Sequence, residues 1–186
     1  MHTLEPHYKW RMYYIASEDQ NSPFFGRVYS EFEFSTKIYN YFIHPQWDDF
    51  GSETLYAKIL YVNYIERYTI IELIGEWNDC LNNDVMLLKQ AIIDRLQEHG
   101  ICKFILIAEN VLNFHASDDC YYEEWYEDVI EEGGWISFVG LQDHVIDEML
   151  EYNIQDYVNL GEDFNIIWRP HKPEIVFEML DNRIVK

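Results

Sequence analysis

The sequence predicts an α/β protein. The expected architecture is a mixed sheet with helices packed on one face, extended by N-terminal antiparallel aromatic strands. Three observations point there. From residue 68 onward, short apolar β-branched runs alternate with segments whose apolar residues recur at helical spacing. Gly and Pro punctuate the junctions between them. Residues 1–66 instead hold 17 of the 32 aromatic residues, in runs that suit a pleated, half-buried surface.

Along the chain, residues 8–14, 28–34 and 37–42 read as strands, separated by breakers at Asn21-Ser22-Pro23 and His44-Pro45. Residues 55–64 and 67–74 flank a polar turn at Ile65-Glu66 and predict a β-hairpin. Asn82, Asn83 and Asp84 are candidate N-caps for a helix whose stripe is Val85, Leu88, Ile92 and Leu96, widened by Met86 and Ile93 and ended by Gly100. A buried-type strand follows at 103–108. Ser117 is a candidate cap for a helix over 118–131, which Gly133-Gly134 stops. A strand at 135–139, a short helix at 143–150, a strand or loop at 155–160 and a helix opened by Pro173 complete the pattern. The division expected is an aromatic β-rich extension over 1–60, packed on the same domain, and an α/β domain over 61–186.

Composition narrows the function classes. The chain has 13 Lys+Arg against 34 Asp+Glu, a formal charge of −21, so nucleic acid and anionic membranes are not expected partners. The sequence has no secretory h-region and no apolar run long enough to span a bilayer, which predicts a soluble, cytoplasmic protein. Cys80, Cys102 and Cys120 form no C-x-x-C pair and are odd in number, so neither a disulfide framework nor a zinc ribbon is expected. Residues 104–168 contain sixteen Asp or Glu and no Lys or Arg, and eight of those acids fall within 117–132. That imbalance predicts a surface held for something cationic.

Residues 68–168 resemble a STAS domain, the fold of anti-sigma factor antagonists and of sulfate-transporter tails. Ile71-Glu72-Leu73-Ile74-Gly75-Glu76-Trp77-Asn78-Asp79 is similar to that family's strand ending in Gly-Glu-Leu-Asp ahead of the first helix. Phe104-Ile105-Leu106-Ile107-Ala108, followed by Val111-Leu112-Asn113-Phe114-His115-Ala116-Ser117, is similar to its apolar strand and the hydrophobic-x-Phe-x-Asp-Ser loop that opens a helix. Gly134 through Leu141 resembles its Gly-x-hydrophobic strand. The resemblance implies a STAS-like regulatory or scaffolding protein, not an enzyme. It makes Ser117 the phosphorylation candidate and a serine-kinase anti-sigma factor the kind of partner. Ala116 stands where the family has Asp, and Asp118-Asp119 stand where it has a small Ser-Gly pair. Those carboxylates disfavour a phosphate that the helix N–H groups would welcome.

The partner-binding candidates are therefore Asn113, His115, Asp118, Asp119, Tyr121, Tyr122, Glu123, Glu124 and Trp125, facing a protein with a basic surface. No cofactor is expected: the chain has no Walker loop, no G-x-G-x-x-G and no G-x-S-x-G elbow. Two alternatives stay open. His115, Asp119 and Glu123 would suit a zinc, manganese or iron ion in a metal-dependent hydrolase. The aromatic N-terminal strands would suit edge pairing in a homodimer or larger homo-oligomer.

Overall fold

The computed structural model describes residues 2–30, 32–34, 36–39 and 41–185. Its main sheet has four strands, β4 (Leu55–Asn63), β5 (Tyr68–Asn78), β6 (Lys103–His115) and β7 (Trp135–Val139), in that spatial order. β4 and β5 are the expected antiparallel hairpin, and β5, β6 and β7 are parallel. Asn63 makes the turn by accepting the N–H groups of Ile65 and Glu66 on its side-chain oxygen, both at 3.0 Å. A second, three-stranded sheet is built from β1 (His2–Leu4), β2 (Lys37–Ile38) and β3 (Tyr41–Ile43).

The parallel strands are buried on both faces, with period-two alternation deciding which side chain goes where. Ile71, Leu73, Phe104, Leu106, Ile136 and Phe138 enter one core, and Ile70, Ile105, Ile107, Trp135 and Val139 enter the other. The first core is closed by helices. α1 (Asp79–Asn82) leads to α2 (Asp84–Leu88), which passes through a π-helical turn at Lys89–Ile93 into α3 (Asp94–Gln97). Val85, Leu88, Ile92 and Leu96 are all essentially inaccessible, as their spacing requires. α4 (Cys120–Glu131) and α5 (Asp143–Glu151) complete this layer with Tyr122, Trp125, Val129, Val145 and Met149. α6 (Pro173–Ile184) covers the opposite face with Val176, Phe177 and Leu180, joined there by Trp10 and Trp168. Each such aliphatic side chain contributes about 1.5–3 kcal/mol by leaving water.

The N-terminal segment departs from its strand reading. Residues 8–14 contain a 3₁₀ helix, Lys9–Met12, rather than a strand. The described residues of 28–34 contain no strand, and 37–42 folds as a hairpin of β2 and β3, Glu31 and Asn40 lying outside the described residues. For residues 8–14 the reason is burial of Trp10, whereas Val28 and Phe32 stay exposed and give 28–34 no apolar face to pack. Trp10, Phe24, Trp47 and Phe50 are driven into the cores, and Trp10 and Trp47 satisfy their indole N–H groups on the carbonyls of His171 and Leu4. Anchoring by single large side chains replaces a backbone ladder. β6 is also longer than expected, running through Val111–His115, because its far end pairs with β5 from Ile74 to Asn78. On the other side of β5, Gly75 lets the start of β4 approach closely: it pairs with Leu55, has φ +124°, and a Cβ there would collide with the Thr54 carbonyl oxygen.

One buried acid sits in the sheet. Glu72 accepts the His7 N–H at 2.7 Å and lies 3.5 Å from the Arg169 guanidinium. Burial pushes its carboxyl up to about 7. The unfolded carboxyl titrates near 4.5, so between those values only the folded chain holds the proton, and this group makes stability fall as pH rises. His7, held down to about 4 by burial, acts with the opposite sign between there and 6.5. Above roughly pH 6.5 the unfolded His7 imidazole sheds its remaining proton, and the Glu72 contribution outweighs it. Between about pH 6.5 and about pH 8 in urea unfolding, the parent should therefore lose about 0.5–1 kcal/mol relative to Glu72→Gln. Equal slopes in the two proteins would refute this assignment.

Candidate functional site

The candidate residues gather at the carboxyl ends of β5 and β6, where register places Glu76 opposite Asn113 and Asn78 opposite His115. The β5–β6 register shifts between Gly75 and Glu76, and Glu76 is the one strand residue of β5 that is partly exposed. Its carboxylate organises a polar cluster. Tyr39 donates its hydroxyl to Oε2, and Asn78 donates its amide to Oε1 at 3.2 Å. His115 Nε2 lies 3.4 Å from Oε1 and 3.2 Å from the Asn113 amide nitrogen. An unprotonated Nε2 accepts from Asn113, whereas a protonated one pairs with Glu76. The hydrogen bond to Glu76 raises the Tyr39 hydroxyl above its ordinary value. Tyr39 and Glu76 escaped the sequence reading of the site. Nothing local to Tyr39 signals a partner 37 positions away, and Glu76 is visible there only as part of a strand motif.

Asp79, beside this cluster, is structural. It is buried and accepts the Trp77 indole N–H (2.9 Å), the Val85 N–H (2.8 Å) and the Tyr122 hydroxyl (2.8 Å). Burial pushes its carboxyl up to about 6. Asn78 caps α1 by accepting the Leu81 N–H at 2.9 Å. Of the expected caps, Asn83 makes no side-chain cap, and Asp84 instead accepts the Asn78 N–H at 2.7 Å.

The start of α4 also differs from expectation. The helix begins at Cys120 with Asp119 in the cap position, because the Asp119 carbonyl accepts from both Tyr122 and Glu123. Ser117 therefore lies two residues ahead of the cap, half-buried in the connecting loop. That loop is pinned at Ala116, whose N–H donates to Glu148 at 3.0 Å and whose carbonyl accepts from the Cys80 thiol at 2.6 Å. Asp119 turns its carboxylate to the Tyr157 hydroxyl at 3.0 Å, and Asp118 accepts the Cys120 N–H at 3.3 Å.

Two expected contact residues are corrected. Tyr122 and Trp125 are fully buried: Tyr122 stacks on Trp77 and bonds Asp79, and Trp125 packs edge-on against Phe104. They are the inward stripe of an amphipathic helix and cannot touch a partner. Asp118, Glu123 and Glu124 are exposed, and Tyr121 and Asp119 are half-buried. The metal set is not assembled. Among the described residues no three His, Cys, Asp or Glu side chains converge, because His115 faces Glu76 while Asp119 faces Tyr157.

The acid of α4 is only partly balanced. Lys89 reaches across from the π-helical turn and places its ammonium 2.9 Å from each of Asp94, Glu124 and Asp128. Burial works to lower that ammonium, but the three carboxylates outweigh it and hold it above its ordinary value. Glu132 pairs with Arg67 at 2.7 Å. Among the described residues Glu123, Glu127 and Glu131 form no ion pair, and their i, i+4 spacing aligns them on one exposed stripe.

Against this geometry the comparisons with known proteins can be set. No family model matches the sequence, and no curated protein matches it. Among solved structures, the chain is similar to a candidate anti-sigma factor antagonist from Thermotoga maritima. Its crystal structure shares 15% identity at a TM-score of 0.45, covering 67% of this chain and 92% of that one. The solution structure of the same protein shares 19% identity at a TM-score of 0.42, covering 69% of this chain and 89% of that one. Among the described residues no helix is long and apolar enough to cross a membrane.

Lys89→Met should cost about 1 kcal/mol in urea unfolding, since it keeps the apolar stem but leaves three carboxylates facing one another. The deficit should shrink in molar salt as that repulsion is screened. A deficit that salt leaves unchanged would mean the lysine acts by packing alone.

Proposed function

We propose that this chain is a non-enzymatic regulatory or scaffolding protein that binds a basic partner protein through the loop and helix at 113–132. The observation that carries the reading is the unpaired stripe Glu123, Glu127 and Glu131. Like charges one helical turn apart destabilise a helix by about 0.2–0.5 kcal/mol per pair, so the stripe works against the fold that bears it. A cationic surface would convert that cost into binding energy and would speed association. Asp118 and Tyr121 precede the stripe in the same segment, and Asn113 and His115 bring the Glu76 cluster into the proposed binding region. The motif resemblance suggests a serine-kinase anti-sigma factor as the partner, with Ser117 as the switch. A phosphate at Ser117 would add about two negative charges just ahead of the α4 N-terminus, next to Asp118 and Asp119.

The test uses the immobilised chain, and its Glu123→Gln, Glu127→Gln, Glu131→Gln variant, against an extract of the source organism. The variant should be more stable than the parent by about 0.4–1 kcal/mol. It should also lose a basic protein that the parent retains at low salt and releases at high salt. Identical recoveries from both would overturn the reading. If the recovered partner is a kinase, phosphate transferred from ATP should appear at Ser117 and vanish in Ser117→Ala. Labelling elsewhere would remove Ser117 from the mechanism.

A further inference from the structure

A cavity of about 390 Å³ lies at the β4 edge of the sheet, beneath the N-terminal segment, whereas α4 packs toward β7. Its lining is chemically unlike the rest of the molecule. The chain carries 13 Lys+Arg against 34 Asp+Glu, yet Arg11, Arg27 and Lys58 all line this cavity and none of its lining residues is a carboxylate. Its volume falls within the range of small-molecule sites, roughly 300–1,000 Å³.

The cations are held in place from behind. Asp48 is fully buried and accepts from Arg27 (3.2 Å), Lys58 (3.1 Å) and the Tyr29 hydroxyl (2.5 Å). Lys58 Nζ also sits 3.7 Å from the centre of the Tyr29 ring, and Arg27 donates to the Asp49 carbonyl at 2.8 Å. Arg11 donates to Gln46 at 3.2 Å and lies 3.4 Å from Glu5. Three cations thus share two paired carboxylates, Asp48 and Glu5, while Asp19 sits behind the lining Tyr14 at 2.8 Å. Arg11 and Arg27 keep about two-fifths of their side chains exposed, with donors free for more. Burial lowers the Lys58 ammonium despite Asp48, so a further negative charge would be welcome there. His7, which also lines the cavity, packs its ring edge-on against both Trp10 and Trp168. Tyr14, Ile15 and Val28 add apolar wall beside the polar Ser17 and Gln46.

We propose that this cavity binds a small organic anion, its carboxylate or phosphate held by Arg11 and Arg27 and its apolar body lying against Tyr14, Ile15 and Tyr29. Guanidinium groups suit either headgroup because their forked donors match both. The site is independent of the acidic α4 surface, so either reading stands without the other.

The probes are phenyl phosphate and benzoate, which carry the two headgroups on the same ring, with benzyl alcohol as the uncharged control. Calorimetric titration of the full chain should show one site for at least one anion, with a Kd of about 1 mM or tighter that weakens with salt. Which anion binds more tightly identifies the headgroup. Benzyl alcohol should bind at least about tenfold more weakly. Arg27→Gln should weaken anion binding by about tenfold or more, but it also disturbs the Asp48 anchor. Arg11→Gln leaves that anchor intact and should weaken binding by a similar factor with no change in thermal midpoint. No saturable binding of either anion overturns the proposal. So does binding that Arg11→Gln leaves unchanged, or binding of benzyl alcohol as tight as that of the anions.

Discussion

The structure depends on the burial of β5 and β6 on both faces. A parallel pair in the middle of a sheet has no solvated side, so every residue of its central run must find an apolar partner above or below. That one constraint calls for helices α2 to α5 over Leu73, Phe104 and Leu106, and for α6 with Trp10 and Trp168 over Ile70, Ile105 and Ile107. It also explains why polar groups trapped within the layers are tied several times over. Asp79 accepts three hydrogen bonds, and Glu72 is held by a backbone N–H and a guanidinium. An unpaired acid at either place would cost more than the fold could spare.

The acidic character of the molecule is distributed by the same logic. Where carboxylates lie close to packed elements they are neutralised locally, as by Lys89 between α2 and α4 and by Arg67 at Glu132. Where α4 faces outward, the stripe at Glu123, Glu127 and Glu131 is left alone. The same chain gathers three of its few cations around one cavity at the far edge of the sheet. Charge of each sign is thus segregated, the unpaired acid on the outer stripe of α4 and the clustered cations at the β4 edge.

The N-terminal aromatics hold these parts together. Phe24 and Phe50 enter the helix-covered core, Trp10 the α6 core, and Trp47 a third cluster with Ile38, Ile43, Tyr56 and Ile74. From that position the segment supplies Arg11, Arg27 and Tyr29 to the cavity and Tyr39 to the Glu76 cluster. β4 itself begins at Leu55 and continues past position 60, with a β-bulge between Ile59 and Tyr61, so the main sheet already includes part of the aromatic region.

The sequence by itself determined the elements whose cause is local. The Val85–Leu88–Ile92–Leu96 stripe, the hairpin at Ile65-Glu66, the apolar strands at 103–108 and 135–139 and the helix opened by Pro173 are each written in spacing, propensity and breakers, and each is found. Tertiary structure decided everything that rests on distant partners. The aromatic run at 8–14 has β propensity, but burial of Trp10 holds it in a 3₁₀ turn, and at 28–34 the exposed Val28 and Phe32 give the segment no apolar face to pack. β6 extends to His115 only because β5 lies beside it, and the start of α4 shifts accordingly. Which of the α4 aromatics face inward was open until the sheet fixed the helix's rotation. Lys89, Tyr39 and the cations around the cavity were invisible as site residues, because charge pairing across tens of residues leaves no periodic trace in a single sequence.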